Sequence, residues 1–466
     1  MGDKAGLFSR ATLKKVASLF VVLAVMSVSA ASTISCEAET VLRPNIILIL
    51  TDDQDKSTLR YMPYVARKFQ TSATTYPNAT YNFSLCCPSR TSILRGQYSH
   101  NHGVWYNTAP HGGYEKFLAN GLDSSHVARW LDQAGYNTAM FGRYVNGYSP
   151  REYDPKPGGW DKFVFNGYSY DGSPAPPTAY MDEVIKDNAL RWLTGNLSGG
   201  PLFAWISFQA PHSPYRFDPK YAGRYTGARL PQPPSFNEKD VSDKPGYVSN
   251  WPQLTDADVA QLTQDHRNRL RGLLTADDTV RRIVSRLKAA GELNNTYIIF
   301  WSDNGYMLGQ HRLLYKQHPH VESLSFPMIV RGPGVRRGVS DPRIVMNQDL
   351  APTFGALAGV RVPAFVDGRS MSPIFDGAGA WRDVGLIEAP QPQHALHPPS
   401  FRGIRDEDYT YVEYATGERE YYDLRTDPYQ LTNAYASLDE TRKTGLHERT
   451  RELASCARAT CRSLEE

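Results

Sequence analysis

One segment, Ser84-Leu85-Cys86-Cys87-Pro88-Ser89-Arg90-Thr91-Ser92-Ile93-Leu94-Arg95-Gly96, sets two adjacent cysteines beside a proline and an arginine. Neighbouring cysteines rarely bridge each other, and no zinc-type Cys/His spacing surrounds them, so a reactive thiol is the starting expectation. Three other clusters offer complementary chemistry. Thr51-Asp52-Asp53-Gln54-Asp55 carries two adjacent carboxylates, which repel unless a cation lies between them; a solvated turn or helix cap is the bland reading. An EF-hand loop is excluded, because counting from Asp53 puts Thr58 at position six and Tyr64 at position twelve, where Gly and Glu are needed. Ser302-Asp303-Asn304-Gly305 adds a carboxylate and an amide oxygen, a set suited to Ca²⁺ or Mg²⁺ rather than zinc, although Asp-Asn-Gly alone is ordinary turn chemistry. His212, between Pro211 and Pro214, suits a proton donor or anion contact, and Lys316 an anion clamp; alone, each is more often a surface residue.

These groups need a scaffold, and the apolar runs supply one. Ile46 to Leu50, Leu202 to Ile206, Tyr297 to Phe300 and Met328 to Val330 are nearly continuous, as in a parallel sheet covered on both faces. Three of the four clusters follow such a run directly, and ligands gather at the carboxyl ends of strands in open α/β sheets. A helix is predicted from about Asp256 to Ala290, capped by Thr255 and stopped by Gly291, or two helices broken near Gly272; its stripe of Leu270, Leu273, Leu274, Val280, Ile283, Val284 and Leu287 is core, and Asp277-Asp278 are read as solvated. The proline-rich residues 211–254 read as a long surface excursion, of a size that is usually functional, and its Lys220, Arg224 and Arg229 are candidates for a local basic groove. Aromatic alternation around Ala415-Thr416-Gly417-Glu418 predicts a hairpin in a small C-terminal antiparallel subdomain.

Of the 466 residues, 41% are hydrophobic and 21% charged, which supports a sizeable core and excludes a disordered or fibrous chain. Lys4, Arg10, Lys14 and Lys15 against Asp3 leave a remainder of 47 cations (51 − 4) against 47 anions (48 − 1), so nothing electrostatic points to nucleic acid or an anionic membrane. The basic start, the apolar run Val16 to Val28 and the small residues Val28-Ser29-Ala30 predict a secretory signal over residues 1–30 and no transmembrane segment after its cleavage; a lipid anchor on Cys36 is the minor alternative. Five cysteines are few and odd in number, and Cys456 and Cys461 are expected to pair. Asn78, Asn82, Asn196 and Asn294 head glycosylation sequons that matter only in a eukaryotic secretory route.

The cysteine segment resembles the signature of the formylglycine-dependent (type I) sulfatases, Cys-x-Pro-x-Arg, in which a formylglycine-generating system oxidises the first cysteine to 3-oxoalanine. The register selects Cys86, with Pro88 two and Arg90 four residues on; from Cys87 those places hold Ser89 and Thr91. Asp52-Asp53 after a strand, His212-Ser213-Pro214-Tyr215, Ser302-Asp303-Asn304-Gly305 and Arg331-Gly332-Pro333-Gly334 extend the resemblance over most of the chain after residue 43. It implies an alkaline-phosphatase-like α/β fold, a mixed, mostly parallel sheet between helices, with a catalytic domain at 43–380 and an antiparallel subdomain at 381–466. It also implies a Ca²⁺ (less so Mg²⁺) on Asp52, Asp53, Cys86, Asp303 and Asn304, and Arg90, His212 and Lys316 around the sulfate of an aryl or sugar ester.

One motif departs. Many sulfatases carry Gly-Lys-x-His, whereas this chain has Gly142-Arg143-Tyr144-Val145-Asn146, closer to the Gly-Lys-Tyr-Leu-Asn of arylsulfatases and N-acetylglucosamine-6-sulfatases. Arg143 keeps a cationic contact and Asn146 is a positioning candidate, but Val145 cannot accept a proton, which leaves His102, His311 and His318 as candidate bases. A phosphate or phosphonate monoesterase on the same scaffold and an inactive sulfated-glycan-binding protein are the rival readings.

Overall fold

The computed structural model describes residues 43–153, 155–166, 168–169, 180–391 and 397–466; the expected signal segment and Cys36 lie outside them. Fifteen strands are present among these residues: β1 (Asn45–Thr51), β2 (Thr74–Tyr76), β3 (Asn137–Gly142), β4 (Lys162–Phe165), β5 (Tyr168–Ser169), β6 (Leu202–Ser207), β7 (Thr296–Ser302), β8 (Met307–Leu308), β9 (Leu314–Tyr315), β10 (Met328–Arg331), β11 (Val339–Ser340), β12 (Gly385–Ala389), β13 (Phe401–Arg405), β14 (Tyr409–Tyr414) and β15 (Arg419–Asp423). Nine make one sheet in the order β11-β2-β10-β7-β1-β6-β3-β4-β5. β1 is central and parallel to both neighbours, with Ile46 opposite Phe203 on β6 and Tyr297 on β7. β10 runs antiparallel to β7, so the sheet is mixed but mostly parallel. Every residue of β1, β6 and β7 is buried, the pattern the apolar runs predict for strands covered on both faces. A second, four-stranded antiparallel sheet, β12-β13-β14-β15, contains the expected hairpin, with Glu413 opposite Arg419.

The helix Asp256–Ala289 is continuous. It opens on a Thr255/Asp258 capping box, and Gly291 follows in the left-handed region at φ 78°. Gly272 does not break it: a Cβ there would meet the Arg216 carbonyl at 3.0 Å and Ala210 at 3.2 Å, so the glycine allows close approach of the chain after β6. Nor are Asp277 and Asp278 simply solvated. The Asp277 carboxylate is buried and accepts from the backbone N–H groups of Tyr64 (2.9 Å) and Val65 (2.8 Å), with burial pushing its pKa up to about 6, while Asp278 pairs with Arg281 and Arg282.

The chain from the helix Cys86–Arg95 into the turn Ser99–His102 is bound to the C-terminal region, where Cys456 and Cys461 form a disulfide. His100 Nδ1 lies 3.0 Å from Glu388 Oε1 on β12, and Nε2 lies 2.9 Å from the Cys456 carbonyl. Nε2 also lies 3.1 Å from the Asn101 side-chain amide nitrogen, a donor, so a neutral ring protonated on Nδ1 can be satisfied too, and it is the Glu388 carboxylate that favours the imidazolium. Burial opposes that charge, but Glu388 outweighs it and the pKa is raised to about 9. Stability from this contact is therefore complete below pH ~6.5 and lost as pH rises through about 9, an effect of up to about 3 kcal/mol. Urea midpoints should fall across that window, and His100→Gln should be less stable at pH 6 and flatten the fall.

Candidate active site

The three central strands deliver their polar ends to one place because their ladder continues past them. The Asp52 N–H donates to the Ala210 carbonyl (3.1 Å), beyond β6, and the Asp303 N–H to the Thr51 carbonyl (3.0 Å). Successive side chains of an extended strand point to opposite faces. Asp53 breaks that alternation at φ 63°, a left-handed conformation rare for a residue with a Cβ, and its carboxylate joins that of Asp52 in the cluster. Cys86 is the first residue of the helix Cys86–Arg95, Pro88 lies in the first turn where its missing N–H costs nothing, and Arg90 lies one turn along on the same face as Cys86. Arg143 follows Gly142, the end of β3, where φ is 99° and a Cβ would meet the Ser207 carbonyl at 1.8 Å. Lys316 follows the β8–β9 hairpin between Tyr315 and Gln317, both at φ 75°; such strain in side-chain-bearing residues collects at functional sites.

The result is one charged nest. Single ligand atoms of Asp52, Asp53, Cys86 and Asp303 all lie within 4.8 Å of one another, and all four residues are buried. Cys86 Sγ sits 2.8 Å from Lys316 Nζ and 3.5 Å from Asp52 Oδ1. Arg90 Nη2 is 2.8 Å from both Asp52 Oδ2 and Asp303 Oδ2, and Nη1 donates to the Tyr144 carbonyl at 2.8 Å. Lys316 also donates to Asp53 Oδ1, His212 Nε2 approaches Asp53 Oδ2 at 3.6 Å, and Arg143 Nε lies 3.3 Å from Asp52 Oδ2. Burial opposes ionisation of Asp52, yet Arg90, His212, Arg143 and Lys316 hold its pKa well below the usual range. Asp303 goes the other way, raised to about 6 by burial and the Asp52 charge. Burial, then Asp52, raises the Cys86 thiol, while Lys316, opposed by burial, is held charged by Asp53. His212 and Arg143 are 29% and 21% exposed against 0–4% for Asp52 and Asp53, so those two mark the solvent side.

A hard cation fits this donor set: three carboxylates converge, and the Asn304 Oδ1 atom is buried without a hydrogen-bond partner while its Nδ2 donates to Asp53 Oδ1 at 2.7 Å. Cys87 lies apart, packed in the hydrophobic core with its N–H on Asn107 Oδ1 (3.0 Å) and its thiol raised to about 12 by burial. Asn146 has a buried Oδ1 without a hydrogen-bond partner and accepts from the Tyr114 N–H through its carbonyl. The three candidate bases are held elsewhere among the described residues: His102 on Ser92 and the Val104 N–H, His311 on Glu238, His318 on the Leu314 carbonyl.

Two supporting residues escaped sequence reasoning. Arg269, fully buried on the long helix, donates to the Asp53 carbonyl (2.6 Å), Asp55 Oδ2 (3.0 Å) and the Pro211 carbonyl (3.3 Å), and lies 4.2 Å over the Tyr306 ring. Asp182 accepts from the N–H groups of Gln209 (2.8 Å) and Ala210 (2.9 Å) ahead of His212. The only sequence sign of either was a charge within an apolar helical stretch.

Comparison with known proteins places these observations in context. A family model described as "Sulfatase" matches residues 44–360, and one described as "N-sulphoglucosamine sulphohydrolase, C-terminal" matches 309–455. An arylsulfatase of Volvox carteri is 31% identical over 493 residues, covering 90% of this chain and 76% of that protein. The N-acetylglucosamine-6-sulfatase of Homo sapiens is 29% identical over 475 residues, 90% of this chain and 86% of its own. Among solved structures, a protein in complex with its substrate D-glucosamine-2-N,6-O-disulfate superposes with a TM-score of 0.76 at 22% identity, covering 88% of this chain and 97% of that one. The phosphonate monoester hydrolase of Agrobacterium radiobacter does so at 0.68 and 21%, covering 89% and 95%.

The donor set makes a prediction independent of turnover. Ca²⁺ or Mg²⁺ added to chelator-treated protein should raise its melting temperature by mass action. Asp303→Ala should abolish that rise, and Zn²⁺ should not reproduce it.

Proposed function

The chain belongs to the sulfatase family and is a sulfuric ester hydrolase, and on that premise we propose that it cleaves aryl or sugar sulfate monoesters at residue 86 after oxidation of Cys86 to formylglycine, with a Ca²⁺ ion on Asp52, Asp53, Asp303, Asn304 and residue 86. The observation that carries this reading is the position of Cys86 Sγ, buried between Lys316 Nζ and Asp52 with the other carboxylates around it. The sulfur marks where the modified side chain's oxygens would lie. Formylglycine supplies a geminal diol, one oxygen to attack sulfur and the other to release it, and the cation supplies charge stabilisation for the sulfate oxygens.

The chain's own residues divide the remaining work. Arg90, Arg143 and Lys316 offer preorganised positive charge to the transferring group. His212, held through Nδ1 on the Ser213 carbonyl (2.6 Å), presents Nε2 to the cluster and donates the proton to the departing alcohol or phenol. Asn146 orients the substrate near Arg143. We assign the catalytic domain to residues 43–380 and the accessory subdomain to 381–466. An extracytoplasmic location is supported by the order of charged, apolar and small residues in 1–30 and by the Cys456–Cys461 disulfide. The names of the relatives support a sugar sulfate as readily as an aryl sulfate.

Peptide mass analysis of active protein should show an aldehyde at residue 86 and an intact thiol at residue 87. Cys86→Ala should abolish sulfate release, and the folded fraction of Cys87→Ala should keep activity. A sulfate ester should be turned over faster than its phosphate counterpart; the reverse would favour a phosphomonoesterase. Arg143→Ala should lower kcat by a few kcal/mol in barrier, with Arg143→Lys recovering much of it; an unchanged kcat beside an altered melting temperature would reduce Arg143 to a structural partner of Asp52.

A further inference from the structure

The two loops that leave the catalytic nest meet again on the surface. The chain after Asp53 forms the short helix Lys56–Tyr61 and continues through Arg67, and the chain after His212 runs through Arg224 and Tyr225. The Tyr225 hydroxyl donates to the Tyr61 carbonyl at 2.6 Å, and their rings meet edge to face at 5.5 Å. Arg60, Tyr61, Pro63, Arg67, Arg224 and Tyr225 line one open groove of about 540 Å³.

No carboxylate lines that groove. Arg60, Arg67 and Arg224 are all exposed, and none makes an ion pair among the described residues. Lys220 lies outside it, paired with Glu183 and Asp218. In the adjoining groove the two acids are already committed, Asp277 to backbone N–H groups and Asp278 to Arg281 and Arg282. Since the chain after residue 15 balances 47 cations against 47 anions, three uncompensated guanidinia around one groove are a local concentration of charge. Arg60 and Arg224 lie 5.0 and 5.7 Å over the Tyr61 and Tyr225 rings, contacts that hold a guanidinium without neutralising it.

We infer that this groove binds a neighbouring, sulfated unit of a polysaccharide whose cleaved ester occupies the catalytic nest, an inference that rests on the sulfate-ester reading of that nest. Guanidinium forks match the tetrahedral oxyanions of sulfate esters as they match phosphates, and tyrosine rings present flat, amphipathic faces to sugar rings. The groove is also mechanically continuous with the site. The Tyr61 ring packs on His266 at 6.0 Å, and one helical turn on, Arg269 holds the Asp53 carbonyl. Arg271 donates to the Arg224 carbonyl at 2.8 Å, anchoring the other wall to the same helix.

The test measures retention of the full chain on immobilised dextran sulfate, unsulfated dextran and duplex DNA, beside turnover of a small aryl sulfate. Wild-type protein should be held by dextran sulfate in a salt-sensitive manner and pass through unsulfated dextran. Arg60→Ser/Arg67→Ser/Arg224→Ser should weaken binding about tenfold while small-ester kcat/KM stays within about twofold, as for loss of a charge-assisted contact outside the reacting centre. The triple Lys variant, which keeps charge and loses the fork, should fall between and reads the groove even where the Ser variant folds poorly. Unchanged retention of the Ser variant would overturn the inference, as would equal retention of wild type on unsulfated dextran or equally tight binding of DNA. Absence of small-ester turnover by wild type would instead overturn the reading of the nest, whatever the retention.

Discussion

Three carboxylates buried within 4.8 Å of one another are the constraint around which the molecule is arranged. In a dry interior like charges repel strongly and each loses its hydration, so such a group persists only where surrounding cations offset both costs. Arg90 does so from the buried interior, touching Asp52 and Asp303 with one nitrogen while another is anchored on the Tyr144 carbonyl. Lys316 does so from a strained hairpin end, and His212 and Arg143 from the solvent side. The divergent pKa values of Asp52 and Asp303 follow: the carboxylate closest to several cations stays ionised, and its charge makes ionisation of its neighbour costlier. A divalent cation answers that imbalance better than a fifth cationic side chain, since Asn304 already leaves an oxygen unpartnered there.

The scaffold meets this constraint through backbone bonds more than through side-chain packing. A parallel sheet brings strand ends together by register, and here the ladder extends past β1 into the residues after β6 and β7. The long helix then locks the loops from outside. Arg269 reaches two of them, and Gly272 lets the chain after β6 come within backbone contact. Substitutions at either position would disturb the carboxylates without touching them, which is why positions one or two layers out matter to the nest.

What was legible in the sequence follows the same division. Continuous apolar runs revealed β1, β6, β7 and β10, because strands buried on both faces need no polar alternation. β3 was not recognised, since Asn137-Thr138-Ala139-Met140-Phe141-Gly142 mixes polar and apolar residues, though the motif after it was. The nest residues were found because each followed a strand end or sat in a dense motif. Arg269, Asp182 and Asp277 were not, because a buried charge on a helix looks like a solvated one until its partners, 27 to 216 residues away, are seen. Gly272 misled for a related reason: glycine breaks helices by propensity but also serves close approach, and only the neighbour distinguishes the two.

The departure at Gly142-Arg143-Tyr144-Val145-Asn146 can be weighed in the same terms. Val145 is fully buried and belongs to the hydrophobic core, as does Tyr144, whose ring packs on Tyr114, Trp160 and Phe163. A histidine at 145 would replace a fully buried valine and pay the desolvation cost of an imidazole. The loop instead serves the nest through the Arg143 side chain and the Tyr144 carbonyl, one facing Asp52 and the other accepting from Arg90. The valine is therefore consistent with the course of the chain, packing in the core while its neighbours serve the nest. Whichever group takes the proton in the sulfate-release step must be one that this backbone carries into the nest, and His102, His311 and His318 are each committed to other partners.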